Sequence, residues 1–138
     1  MMNVLIISPG YPADMPEFTR GLAEVGARVF GIGDTPEAML PRLVKRSLTG
    51  YLQVPSLWDE DAVILQVQAW KGMARLHRIE CLWEPGMILA ARLREAFGVP
   101  GLNVAQTLPF RDKECMKQAL DAAGVRTPRH YKAETVAA

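Results

Sequence analysis

Cysteine and histidine, the residues that most often build disulfide frameworks and metal centres, are scarce in this sequence. Its 138 residues include two cysteines and two histidines. Cys81 falls in a predicted strand and Cys115 in a predicted helix, and the histidines match no metal-ligand spacing. We therefore expect no disulfide and no metal site in this chain, and buried thiols in a reducing cytosol.

Long apolar runs and an excess of charge of one sign are also missing. The chain carries 16 Lys and Arg against 15 Asp and Glu, a net charge of +1, which gives no reason to expect a nucleic acid partner. The apolar run at residues 4–7 is too short for a signal peptide or a membrane span. The composition, 49% hydrophobic and 22% charged, is typical of a soluble α/β domain. We expect a cytoplasmic protein without membrane contact.

What is present predicts strands that alternate with helices. Strands are predicted over residues 4–7, 28–32, 51–54 and 78–83, with a short fifth strand or extended loop over 99–104, and helices over 15–25, 56–77 and 86–97. This alternation favours an α/β fold, a doubly wound, Rossmann-like parallel sheet of four to five strands. Residues 35–54 give no clear pattern: short helical pieces bracketed by prolines precede the short strand at 51–54.

The helix after the first strand has a recognisable start and a predicted buried face. Asp14 and Glu17 have the spacing of a capping box, with Pro16 tolerated in the first turn. The residues expected on the buried face are Met15, Phe18, Leu22 and Val25.

Ligands of an open parallel sheet bind at the carboxyl ends of its strands, and the loop after the first strand qualifies as such a place. Its backbone N–H groups and the Ser8 hydroxyl are candidates for holding a carboxylate or a phosphate, which makes Ser8, Gly10 and Tyr11 candidate substrate-binding residues. A dinucleotide site requires three spaced glycines, and this loop has only Gly10. Ser8 also lacks the small neighbours of a hydrolase nucleophile. A plain proline-rich turn explains the loop equally well.

Two acidic residues also follow predicted strands. Asp34 is placed where a dinucleotide-binding protein holds a ribose hydroxyl, but we favour an ordinary helix cap ahead of Pro36. Glu84 lies in the turn after the fourth strand and, by composition alone, is a loop acid.

The last third of the chain contains a lysine in an unusual place. Met116, Ala119, Leu120 and Ala123 form one apolar stripe of a helix that Pro109 is expected to introduce and Gly124 to end. Lys113 falls in the first turn, where the helix dipole mildly disfavours a cation and a bound anion would reverse that penalty. A solvated lysine beside Asp112 is the simpler interpretation of the residues alone.

The order of these features resembles a known superfamily. Val-Pro-Gly from Val99, a polar loop, Arg111-Asp112-Lys113, an amphipathic helix, Ala-Gly-Val and then Pro128 resemble the ATP-grasp ligases, where the N-terminal, biotin-carboxylase-like (pre-ATP-grasp) domain joins the ATP-grasp domain. The resemblance implies a Rossmann-like pre-ATP-grasp domain over residues 1–108. Residues 109–138 would then be a linker helix and a first strand leading into an ATP-grasp domain that is absent, so we expect a fragment of a longer protein.

The resemblance also implies a function. Lys113 matches the lysine that commonly reaches the nucleotide phosphates, and Glu84 matches a carboxylate near the second substrate or the domain interface. The parent enzyme would use ATP and Mg, bound mainly by the absent domain, to turn a small carboxylate or bicarbonate into an acyl phosphate that an amine or similar nucleophile attacks. No complete catalytic set is visible in residues 1–138, so the fragment alone is expected to be inactive. A homodimer stays open.

Two other functional classes remain as alternatives. A Rossmann-type dinucleotide-binding module would use Asp34 as its ribose ligand. A receiver-like regulatory module needs an acidic cluster at the strand ends, whereas strand one ends in Ser-Pro-Gly. We rank that alternative last.

Overall fold

A computed structural model describes residues 1–131 and residue 133 of the chain. Its centre is a sheet of four strands, all parallel, in the order β3-β2-β1-β4. The strands are β1 (Asn3–Ile7), β2 (Arg28–Gly33), β3 (Leu48–Gln53) and β4 (Arg78–Glu80). The helices are α1 (Met15–Glu24), α2 (Arg42–Ser47), α3 (Glu60–Ala69), α4 (Met87–Phe97), α5 (Val104–Arg111) and α6 (Lys113–Ala122). Short 3₁₀ turns cover Glu37–Met39 and Glu84–Gly86.

Helices cover both faces of the sheet. Every residue of β1 is buried, because the strand is central and apolar side chains point to both faces. One face carries a large core in which Leu5 and Phe30 pack with side chains of α3 and α4. On the other face Ile6 and Val29 pack beneath Met15 of α1. The predicted α/β fold with a doubly wound parallel sheet is therefore confirmed.

The sheet has four strands because the segment after α4 turns into a helix. Asn103 accepts a hydrogen bond from the Gln106 backbone N–H at 2.8 Å, and the Gln106 side chain accepts one from the Asn103 N–H at 3.1 Å. This capping box starts α5 at Val104, so the fifth strand is not formed.

The predicted helix over residues 56–77 is much shorter in the structure. Asp59, not Ser56, caps α3 by accepting from the Ala62 N–H at 3.2 Å. The helix ends at Ala69, and the Trp70 ring packs edge-on against Phe30 with ring centroids 5.9 Å apart. β4 is likewise shorter than predicted, because its pairing with β1 ends at Glu80 opposite Ile6.

The predicted capping box at the start of α1 is wrong. Asp14 already has helical backbone angles, φ −86° and ψ −18°, and its side chain caps nothing. The predicted buried face is also shifted, since Phe18 is 47% exposed and Val25 82% exposed. Thr19 is fully buried instead, and its hydroxyl can donate to the Pro9 or the Met15 carbonyl oxygen, at 2.9 and 3.0 Å.

Two helices, not one, occupy the last third of the chain. Pro109 lies inside α5 and does not introduce α6; Asp112 does that by capping α6. α6 ends as predicted, with Gly124 in the left-handed region at φ +69°. The predicted boundary between residues 108 and 109 falls within α5. Residues 129–131 have no regular structure, and the rest of the predicted final strand falls largely on residues 132 and 134–138, outside the described ones.

In the described part of the chain, no helix combines the length and the apolar character needed to cross a bilayer.

Candidate functional site

The candidate site lies on the side of the sheet where the strands end, here called the carboxyl edge. It begins with the loop after β1. The Ser8 N–H donates to the Ile32 carbonyl of β2 at 2.8 Å, which extends the strand pairing by one residue. Ser8 then adopts a left-handed conformation, φ +56°, and its hydroxyl donates to the Tyr11 carbonyl at 2.6 Å. Ser8 thus closes the loop on itself, and its hydroxyl proton is engaged within the loop.

Gly10 has a packing role in the same loop. A Cβ atom at this position would lie 3.2 Å from Cδ of Pro41 and 3.3 Å from Cδ2 of Leu40. The loop after β1 therefore packs closely against the segment that leads into α2. This packing fixes the position of the loop backbone that is a candidate for substrate binding.

Three aromatic side chains cluster at this edge. Tyr11 packs edge-on against Trp83 with ring centroids 5.7 Å apart, and Trp83 packs against Trp58 at 5.6 Å. Tyr11 is 60% exposed and Trp58 65% exposed, so the cluster presents a wide apolar surface to solvent. Sequence reasoning did not include Trp58. The available signal was that all three aromatics come shortly after the end of a strand.

Glu84 links this edge to the start of the last helix. It opens the 3₁₀ turn after β4, and its Oε1 lies 3.9 Å from Nη1 of Arg111, the last residue of α5. Both side chains are about half exposed, so the ion pair is weak and solvent-screened. The ion pair matters for position: it holds Arg111, and with it the start of α6 at Lys113, near Glu84.

Lys113 is the first residue of α6 and is exposed. The helix start is capped by Asp112, whose Oδ1 accepts from the N–H groups of Glu114 at 2.9 Å and Cys115 at 3.1 Å. Within residues 1–131 and 133, no ion pair includes Lys113. An exposed cation at the positive end of a helix dipole suits an anion such as a phosphate.

Asp34 does not cap a helix, so that interpretation is wrong. The following 3₁₀ turn starts after Pro36, and no side chain caps it.

Burial, with added repulsion from Asp34 and Glu37, raises the pKa of Tyr51 to about 12. The Tyr51 hydroxyl therefore keeps its proton and donates it to the Thr35 carbonyl at 2.8 Å.

Cys81 lies directly after β4, beside the candidate site, and burial raises the pKa of its thiol. Its Sγ contacts the Trp83 carbonyl at 3.0 Å. Both cysteines are free and half-buried. In the described part of the chain no three His, Cys, Asp or Glu side chains come together as a metal site would require. The described residues therefore do not form a site that would hold Mg through protein side chains alone.

Neither a protein-family model nor a curated protein sequence matches the chain. Among solved structures it is similar to L-amino acid ligase from Bacillus licheniformis, with a TM-score of 0.76 and 22% identity over 99% of this chain and 34% of the ligase. It is also similar to phosphoribosylglycinamide synthetase from Anaerococcus prevotii, with a TM-score of 0.73 and 20% identity over 99% of this chain and 32% of the synthetase. Both are ATP-grasp enzymes.

The chain shares its fold with part of each of these two ATP-grasp enzymes. The resemblance predicted from the last third of the sequence is confirmed at the level of the fold, and the similarity covers nearly all of the chain. The chain spans about a third of the length of each of these two enzymes.

Proposed function

We propose that the chain is the N-terminal, substrate-side domain of an ATP-grasp ligase. In the proposed reaction a carboxylate or bicarbonate oxygen attacks the γ-phosphorus of ATP, giving an acyl phosphate and ADP. An amine or similar nucleophile then attacks the acyl carbon and expels phosphate. The similarity of almost the whole chain to two ATP-grasp enzymes supports this assignment.

The observation that carries the proposal is the position of Lys113. An exposed ammonium group at the start of α6, in an Asp-Lys pair, is suited to contact the phosphates of a nucleotide bound between this chain and the rest of the enzyme. Phosphoryl transfer is catalysed mainly by positioning and by charge stabilisation, which is what such a cation supplies. ATP supplies the phosphoryl group. The protein ligands of Mg are proposed to lie mainly elsewhere in the longer protein, since the described residues form no cluster of three such ligands.

The loop after β1 and the turn after β4 are proposed to form one wall of the substrate cleft. The Gly10 backbone and the Tyr11 ring would border the carboxylate substrate. Glu84, held loosely by Arg111, would accept a hydrogen bond from the attacking amine. The partners proposed are thus small molecules, with neither nucleic acid nor membrane, and a homodimer is compatible with the proposal.

The test uses the longer protein that is proposed to contain this chain. ADP release is measured with a panel of small carboxylates, and hydroxylamine is added to trap an acyl phosphate as its hydroxamate. Lys113→Ala is expected to raise the apparent KM for ATP by about tenfold to a hundredfold, because a hydrogen bond to a charged group is worth roughly 1.5–3 kcal/mol. Lys117→Ala, on the same helix, is the matched control and should leave that KM unchanged.

Two outcomes would contradict the proposal. Lys113→Ala with wild-type kinetics would remove the assigned role, and a protein that releases no ADP with any carboxylate would remove the ligase assignment. The 138-residue chain alone is expected to hydrolyse no ATP.

A further inference from the structure

A cavity lies at the opposite side of the sheet, where the strands begin, here called the amino edge. It has a volume of about 470 Å³ and is lined by residues 68, 70, 73–78 and 97–100, which come from the end of α3, the segment into β4 and the loop after α4. This volume is within the range of small-molecule sites. The length of β1, five residues, places the cavity about 15 Å from the candidate substrate site.

The charge of the cavity wall has one sign. Arg75, His77 and Arg78 line it, and none of the described residues that line it is acidic. The Arg78 guanidinium donates to the neighbouring His77 carbonyl at 2.7 Å. Neither arginine takes part in any ion pair within residues 1–131 and 133. The wall thus holds positive charge that no carboxylate in the described part of the chain neutralises.

Hydrogen bonds to β1 hold the backbone segment that carries the cationic side chains of the wall. The His77 Nδ1 atom accepts the Asn3 N–H at 2.9 Å, so in the neutral ring the hydrogen lies on Nε2, which can donate. The Asn3 side-chain amide donates to the Arg75 carbonyl at 2.7 Å, and Asn3 is 8% exposed. The backbone that carries Arg75 and His77 is therefore held against a central strand, so binding would require little reordering of it.

The remaining wall is apolar and aromatic. Trp70, Met73 and Phe97 are partly buried and pack against the large core, to which Val99 belongs. The Trp70 ring is held edge-on to Phe30. An aromatic or alkyl group packed here would remove apolar surface of both ligand and protein from water.

From this geometry we propose that the amino-edge cavity binds a small anionic ligand with an aromatic or alkyl body. Its carboxylate or phosphate would lie against Arg75 and Arg78, with the His77 Nε2–H as a further donor. Its body would pack against Trp70 and Phe97. This site is separate from the substrate cleft proposed above, so it does not depend on the ligase assignment.

The proposal is tested by titrating the 138-residue chain calorimetrically at low ionic strength. The probes are 2-naphthoate and phenyl phosphate, with 2-naphthalenemethanol and inorganic phosphate as controls that keep only the body or only the charge. The two amphipathic anions should bind about tenfold more tightly than either control, because the charged and the apolar contacts both contribute. No binding, or equal binding of the neutral alcohol, would overturn the proposal.

Variants assign the site. Arg75→Gln and Arg78→Gln should each weaken 2-naphthoate binding by about fivefold to tenfold. Arg46→Gln, an exposed arginine of α2, should leave it unchanged. Ala74→Phe is expected to fill the cavity and abolish binding, with circular dichroism as the check on folding. Unchanged affinity in the Arg75→Gln, Arg78→Gln double variant, or loss of affinity in Lys113→Ala, would place the probe elsewhere and refute the assignment.

Discussion

The two edges of the sheet differ in charge, in shape and in how the chain builds them. At the carboxyl edge the loop after β1 is closed by the Ser8 hydroxyl, and the turn after β4 pairs Glu84 with Arg111, so charge is mixed and weakly balanced. At the amino edge Arg75 and Arg78 have no acidic partner in the described part of the chain. The comparison separates a site that the fold type predicts from a site that only the particular side chains reveal.

The difference follows from the topology of a parallel sheet. Chain segments leaving the carboxyl ends lead into helix starts, where backbone N–H groups are available to ligands. Segments entering the amino ends come from helix ends, where carbonyl groups are unsatisfied and cationic side chains are favoured. An anion bound at the amino edge would therefore depend on side chains such as Arg75 and Arg78, not on the backbone.

Replacing Phe30 should produce the largest effect on stability and should also reach the amino edge. Its side chain is fully buried in the large core, so Phe30→Ala should reduce the free energy of unfolding by about 3–5 kcal/mol. The same change removes the ring against which Trp70 packs, so binding of 2-naphthoate at the amino edge should weaken as well. Urea denaturation and the calorimetric titration measure the two effects.

Ile32→Ala is the matched control for that prediction. Ile32 is also fully buried in the same core, but it lies nearer the carboxyl end of β2. It should cost stability of similar size, about 2–5 kcal/mol, without changing affinity for 2-naphthoate in the folded protein. Equal loss of affinity in both variants would mean that the amino-edge cavity responds to global stability and not to the Trp70 contact.

A smaller effect, greatest at the loop after β1, is expected from Gly31→Ala. A Cβ atom at Gly31 would lie 2.9 Å from Cγ of Pro9, so the loop after β1 must move. We expect a loss of about 1–3 kcal/mol from overpacking, and in the longer protein a higher KM for the carboxylate. Gly21→Ala is the comparison, because outside its chain neighbours and the backbone of its own helix no atom lies within 4 Å of its added Cβ. A carboxylate KM that does not change in Gly31→Ala would separate the loop from substrate binding.

The four strands of the sheet could be predicted from the sequence because local patterns of apolar residues indicate both where a strand lies and that it is buried. The apolar run of β1 and the glycines after α1 and α4 were sufficient for the alternation of strands and helices. The helix prediction failed at Trp70 because a tertiary contact decides there: Trp70 leaves the helix to pack on Phe30. The strand prediction at residues 99–104 failed for a local reason, because Asn103 and Gln106 have the spacing of a capping box, which starts α5.

The candidate site was predicted only in part because tertiary contacts decide there as well. Ser8, Gly10, Tyr11 and Glu84 were found because they follow strands, which is a matter of chain order. The contact of Trp58 with Trp83 joins residues 25 positions apart, and the cavity at the amino edge joins the end of α3 to the loop after α4. Such sites depend on packing between elements, which a single sequence does not specify by spacing.

The smallest predicted effect comes from removing the cap of α6. It shows whether the start of α6 is needed to position Lys113 or only to stabilise the helix. Asp112→Ala removes the side chain that accepts from the Glu114 and Cys115 N–H groups, and should cost about 1 kcal/mol. Asn103→Ala removes the equivalent cap of α5 and should cost a similar amount. Thermal denaturation of the chain measures both.

The two caps should differ in function although they match in stability. Losing the Asp112 cap frays the turn that holds Lys113, so in the longer protein Asp112→Ala should raise the KM for ATP. Asn103→Ala acts one helix earlier and should leave that KM close to the wild-type value. Because both variants weaken a helix start by the same mechanism, a raised KM in both would indicate that loosening either helix is sufficient. A KM raised only in Asp112→Ala would assign the effect to the geometry that presents the lysine to phosphate.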